Sequence, residues 1–141
     1  MADAEFSHKL RVYIEDTDAG GIVYYVNYLK FMERARTELM RSLGFDKNFI
    51  FNSDLMFVVR DLTVRYMLPA RLDDELVATA SIVQLRGAGM VFAQVIRRGN
   101  ELLAQGEVTV ACVDRAGITA RRLPMAMVER IRELELKEAK V

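Results

Sequence analysis

From Glu15 to Asn27 the chain reads EDTDAGGIVYYVN, and this stretch gathers residues able to do chemistry: Asp16, Asp18, Gly20, Gly21 and Tyr25. A carboxylate can act as a nucleophile or as a base toward water. A helix starting at Asn27 would add free backbone N–H groups and the positive end of its dipole, which bind an anion or polarise a carbonyl oxygen. Gly20 and Gly21 let a substrate approach the backbone closely. An acid and an oxyanion site together suffice to hydrolyse an activated acyl group such as a thioester, with no histidine, cysteine or metal. The same residue types also build an ordinary tight turn in which Asp18 only bonds neighbouring N–H groups, and on residue types alone that is the stronger reading.

Scarcity elsewhere narrows the chemistry further. The 141 residues contain one histidine, His8, and one cysteine, Cys112, so no internal disulfide forms and no His/Cys zinc cluster is available. Any Ser-His-Asp or Cys-His mechanism would have to use His8. Acids and bases balance at 20 each, which excludes a global positive field for nucleic acid or anionic lipid. An apolar fraction of 52% with 28% charged residues is too hydrophobic for a disordered chain and allows a packed core. The opening MADAEFS lacks the basic start and apolar stretch of a signal peptide, and no window reaches membrane-span length. A cytoplasmic protein of one domain, residues 1–141, with no membrane span is expected.

The elements that must position the loop follow from periodicity. His8 to Ile14 alternates, with Leu10, Val12 and Ile14 on one side, as a half-buried strand does. From Asn27 the spacing turns helical through Tyr28, Met32, Ala35, Leu39 and Leu43, which predicts a helix over 27–43 capped by Asn27 and stopped at Gly44. Segments 55–67, 75–85, 90–98 and 102–113 read as strands, and the short links Arg86 to Gly89 and Gly99-Asn100 make them antiparallel neighbours. Within 90–98, Met90, Phe92 and Ile96 alternate with Val91, Ala93 and Val95, so both sheet faces should be covered. The long helix takes one face. A second copy of the chain is the economical cover for the other, ahead of a last helix from Pro124 carrying Met125, Val128, Ile131 and Leu134. Strand, loop, helix and four antiparallel strands match a hotdog fold.

The stretch RVYIEDTDAGGIVYYVNYLKFMERARTELMRSLGF resembles the signature of the YbgC-type acyl-CoA thioesterases, the branch of the 4-hydroxybenzoyl-CoA thioesterase group associated with the Tol-Pal system. FVVRDLTVRYMLPARLDDEL and VTVACVD are similar to that family too, so the resemblance spans nearly the whole chain. It implies an α+β hotdog fold: a long central helix wrapped by a mainly antiparallel five-stranded sheet, with a short C-terminal helix. It also implies a homodimer or homotetramer that hydrolyses acyl-CoA at the dimer interface, with acyl carrier protein as a further possible partner. The family's acid falls on Asp18, as nucleophile or general base, and its helix-start N–H on Tyr25 or just beside it. Many members carry histidine where this chain has Tyr25 and tyrosine where it has Ile14, so two assisting side chains are absent. An Asp-plus-helix-terminus mechanism needs neither. Gly21 completes the substrate-binding loop.

Coenzyme A carries phosphates, which a neutral chain must meet with locally placed arginine. Between positions 86 and 122 six bases face three acids, and Arg86, Arg121 and Arg122 are the phosphate candidates. Glu33 could serve as an alternative acid but lies off the apolar stripe, where an i to i+3 pair with Arg36 fits better. Cys112 reads as a core thiol, His8 as a strand-edge residue, and Met125-Ala126-Met127 as packing. Two further functions remain in view. One is a non-catalytic module binding acyl-CoA or acyl carrier protein. The other, a hotdog hydratase, is disfavoured because such enzymes usually employ a histidine absent from this loop.

Overall fold

The computed structural model describes residues 5–51 and 54–139. Five strands form one antiparallel sheet: β1 (Phe6–Arg11), β2 (Leu55–Tyr66), β3 (Glu75–Arg86), β4 (Gly89–Arg98) and β5 (Glu101–Asp114), in the order β1-β3-β4-β5-β2. The helices are α1 (Asn27–Ser42), the short α2 (Lys47–Phe51) and α3 (Met125–Ala139). This is the hotdog arrangement, with α1 as the filling. Tyr28, Phe31, Met32, Ala35 and Leu39 recur every three or four residues, so they share one side of α1 and are all buried against the sheet. Each of the larger side chains contributes roughly 1.5–3 kcal/mol by leaving water. The helix stops at Gly44, whose φ of +98° is left-handed backbone that glycine adopts without steric cost.

The end of β1, the cap of α1 and one short extra helix differ from the sequence expectation. β1 ends at Arg11, and Ile14 lies not in a strand but in a 3-10 turn, Ile14–Asp16, with its side chain 76% exposed. Alternation ran on through Tyr13 and Ile14, but Val12 already leaves the β1–β3 ladder to bond Asp73 and Asp74. The cap of α1 is Val26, not Asn27, and no side chain bonds at that cap. Asn27 is the first helical residue, and its side-chain amide reaches back to donate to the Asp16 carbonyl at 2.9 Å. Helix α2 gave no signal, being a five-residue turn nucleated when the Asp46 carboxylate accepts the Asn48 and Phe49 N–H groups.

Cover for the sheet also departs from expectation. Met127 of α3 shares a cavity with Met40 of α1 and with Met90 and Phe92 of β4, so α3 packs on the same face as α1. The opposite face is not the broad apolar surface that 90–98 suggested. It carries a mainly polar hollow in which Thr63, Arg65, Ser81, Gln105 and Glu107 surround Ala93 and Val95. The exposed apolar surface lies instead on the helix side of β2, where Val59 is 51% and Leu62 41% exposed, because α1 rests over β1, β3 and β4 and leaves β2 bare. β2 is also a sheet edge twelve residues long, with one ladder left unpaired. Among the described residues no helix is long and apolar enough to cross a membrane.

Candidate active site

The EDTDAGG loop folds back on itself between β1 and α1. Thr17 and Val23 form an isolated antiparallel bridge, the Asp18 N–H donates to the Ile22 carbonyl at 2.9 Å, and Gly21 N–H returns to the Asp18 carbonyl at 3.1 Å. Gly21 has φ of +82°, the left-handed value that closes this turn. The two acids separate by role. Asp16 is structural: its carboxylate accepts the Tyr13 N–H at 2.9 Å, and its carbonyl accepts both Tyr24 N–H and the Asn27 amide. Asp18 is exposed, and its Oδ1 accepts the Gly20 N–H at 2.8 Å, while Oδ2 has no hydrogen bond among the described residues. The turn bond that residue types alone predicted is therefore present, and it leaves one carboxylate oxygen open.

Tyr24, Tyr25 and Val26 lead into α1. The Tyr25 and Val26 N–H groups have no acceptor among the described residues, as the first donors of a helix should. Tyr66, at the end of β2, donates its hydroxyl to the Tyr25 carbonyl at 3.2 Å and meets the Tyr25 ring edge-on at 6.1 Å. That bond fixes the peptide whose N–H belongs to Val26. Burial, and then the neighbouring Tyr25 and Tyr28, push the Tyr66 hydroxyl up, so it stays protonated and able to donate near neutral pH. Sequence reasoning missed Tyr66, since a tyrosine ending a strand carries no local sign of a partner 41 residues away.

A strap comprising residues 69–74 supports the loop from below. Val23 N–H donates to the Ala70 carbonyl at 2.8 Å, Val12 N–H to the Asp74 carbonyl at 2.9 Å, and Ala70 N–H to the buried Tyr28 hydroxyl at 2.9 Å. Asp74 shapes the strap by accepting Arg71 N–H at 2.8 Å and the Arg98 guanidinium at 2.7 Å; Arg98 also bonds the Pro69 carbonyl and Glu101. Burial opposes ionisation of Asp74, but the Arg71 N–H and Arg98 outweigh it and hold its carboxyl below the usual range. Leu72, Asp73 and Asp74, from the stretch FVVRDLTVRYMLPARLDDEL, form the end of this strap.

The arginines foreseen for phosphate lie elsewhere. Arg86 ends β3, and the Gly87 carbonyl beside it accepts Leu123 N–H, so Arg86, Arg121 and Arg122 gather around one end of the sheet. The Asp18 loop is at the other end, beyond Arg11 and its partner Glu75, about 35 Å away along β3 at the ordinary rise per residue. One chain does not bring them together. Arg121 pairs with Asp114 at 3.5 Å, while Arg86 and Arg122 have no ion pair among the described residues. The expected Glu33–Arg36 pair is not formed either. Arg36 donates to the Gln94 Oε1 at 3.0 Å, and Gln94, buried on β4, donates to the Met32 and Thr79 carbonyls. The sign was legible: Gln94 is the one polar residue between Phe92 and Ile96 on an apolar face. His8 pairs with Ala78 within edge strand β1, Cys112 is fully buried, and Met127 is core while Met125 is 70% exposed.

Residues 20–105 match the model of the thioesterase superfamily. The acyl-CoA thioester hydrolase YbgC of Escherichia coli is 43% identical over 129 residues, 91% of this chain and 96% of that protein. The acyl-CoA thioesterase YbgC of Haemophilus influenzae is 44% identical over 115 residues, 81% of this chain and 85% of that one. The crystal structure of a probable thioesterase from Bartonella henselae superposes with a TM-score of 0.80 at 35% identity, covering 86% of this chain and 100% of that one. Matching in sequence over most of its length and in fold across the sheet, the chain belongs to the thioesterase superfamily, among the relatives of YbgC.

Proposed function

We propose that this thioesterase hydrolyses acyl-CoA with Asp18 as nucleophile or general base and the N–H groups at the start of α1, Tyr25 or Val26, as oxyanion donors. The observation that carries the reading is the pairing, within one folded loop, of an open carboxylate oxygen with amides that have no acceptor. Attack on the thioester carbonyl, by Asp18 or by a water it deprotonates, moves charge onto the carbonyl oxygen. Amides fixed by the helix and by Tyr66 stabilise that charge without reorganising. Collapse expels CoA as a thiolate and, when water is the attacking group, leaves the free acid. If Asp18 attacks, the mixed anhydride formed is then hydrolysed by water.

A second copy completes the site. Two-fold pairing of β2 with its own copy satisfies the unpaired edge and covers Val59 and Leu62. Such pairing turns the copies end for end, which brings the Arg86, Arg121 and Arg122 end of one to the Asp18 end of the other, where CoA phosphates need cations. Acyl carrier protein, which presents the same thioester on a phosphate-bearing arm, is a second donor compatible with this site. Asp18→Asn is the direct test, because the asparagine carbonyl still accepts the Gly20 N–H and the loop stays folded. Thiol release from acyl-CoA should fall at least about 100-fold. Undiminished release removes Asp18 from the mechanism, and saturable acyl-CoA binding by the wild type without release marks a binding module instead.

A further inference from the structure

Two cavities meet along the bare side of α1. The outer one, about 290 Å³, begins at Val26 and runs between α1 and β2 past Leu29, Met32 and Leu62 to Glu33, Arg36 and Val59. The inner one, about 350 Å³, begins at those same three residues and continues to Met40, Phe45, Phe57, Met90, Phe92 and Met127. Glu33, Arg36 and Val59 line both, so the two cavities adjoin at a constriction formed by these three residues. Arg36 is drawn toward the sheet at that point by Gln94 Oε1, and burial lowers its pKa despite the opposing charge of Glu33. Beyond the constriction most of the lining is apolar, with Thr37, Arg41, Asp46 and Lys47 also on the wall, and Met90, Phe92 and Met127 are all at most 2% exposed. Val26, at the mouth, carries one of the two free amides proposed to hold the thioester oxygen.

Length then selects the ligand. From Val26 to Met40 the groove follows 14 residues of helix, about 20 Å. One leaflet of a bilayer's hydrocarbon core, the span of a full fatty chain, is about 15 Å. We infer that the acyl group lies in this groove, threads the Glu33–Arg36–Val59 constriction and ends in the chamber floored by Met127, so that the preferred substrates are long, unbranched aliphatic acyl thioesters. Soft, unbranched methionine side chains suit such a floor, since they adapt to a flexible chain. This rests on the thioester being held at the start of α1, as proposed above.

The test is a chain-length series, acetyl-, hexanoyl-, dodecanoyl- and palmitoyl-CoA, with the wild-type protein and two variants, Met40→Trp and Val59→Trp. Met40 is half-buried in the chamber wall and Val59 is an exposed residue at the constriction, so the two block the path at different depths. Wild-type kcat/KM should rise from acetyl to dodecanoyl or beyond. Each blocked path should lose roughly tenfold for every two methylenes denied burial, measured against the same variant's own acetyl-CoA turnover, which for Met40→Trp stays within about twofold of wild type. Met40→Trp should move the optimum to a medium chain and Val59→Trp to a shorter one. A wild type that prefers acetyl or short polar-ended acyl groups, unchanged by Met40→Trp, overturns the inference and leaves the thioesterase reading standing. No turnover of any substrate, with no saturable palmitoyl-CoA binding by calorimetry, overturns both.

Discussion

Arg98 and Asp74 meet at 2.7 Å across 24 positions of sequence, and through that pair the end of β4 holds the strap on which the Asp18 loop rests. Neither residue touches the site. Their side chains are only 27% and 23% exposed, so solvent screens the pair less than it does the peripheral Arg11–Glu75 pair. Arg98→Ala should therefore cost about 1–3 kcal/mol of stability and lower kcat more than KM, through a displaced loop. Arg98→Lys keeps a single bond and should recover part of kcat. Thermal melts beside steady-state kinetics separate the two effects. The Asp74 carboxyl, held below its unfolded value, stabilises the fold when ionised. That contribution is present above the ordinary carboxylate range and is lost as pH falls through the lowered pKa, so Asp74→Asn should flatten the acid side of the stability curve.

The two loop glycines serve different ends. A Cβ on Gly21 meets nothing within 4 Å, but its φ of +82° costs a side-chain-bearing residue about 1–2 kcal/mol. Gly21→Ala should lower the melting temperature by a few degrees. Gly20 lies outside the left-handed region, and a Cβ there would stand 3.3 Å from Asp18 Oδ1. Gly20→Ala should thus leave the melt nearly unchanged and reduce kcat severalfold by pushing the carboxylate aside. Equal effects of both variants on the melt and on kcat would refute this division.

Gln94 joins three elements that the sequence lists far apart. Its amide nitrogen bonds the Met32 carbonyl of α1 and the Thr79 carbonyl of β3, and its oxygen accepts from Arg36. Gln94→Leu keeps the volume but removes the acceptor of a half-buried guanidinium and the side-chain donor to the Thr79 and Met32 carbonyls. A loss of about 2–4 kcal/mol, read by denaturant titration, is expected, with Arg36 freed into the groove and turnover of long-chain substrates reduced most.

Local periodicity made the elements legible. The run from Tyr28 to Leu39 has one helical burial solution, and 75–86, 89–98 and 101–114 are joined by turns too short for any pairing but antiparallel. The tight turn of the loop was legible for the same reason, since Asp18, Gly21 and the start of α1 lie within a dozen residues and their bonds are mutual. Alternation misled at Ile14, because a repeating pattern carries no mark of where the partner strand stops.

Tertiary structure decided everything that depends on distant segments meeting. Only the fold could assign Asp16 to the turn and leave Asp18 an open oxygen, bring Tyr66 from the far edge of the sheet to the Tyr25 carbonyl, and send Arg36 to Gln94 instead of Glu33. It also placed the three arginines at the end of the sheet away from Asp18, because the twelve residues of β3 separate its two ends. Hydrophobic spacing says which side of an element is buried. Which side chains converge on a point depends on strand order and register, and those were settled when the five strands wrapped α1.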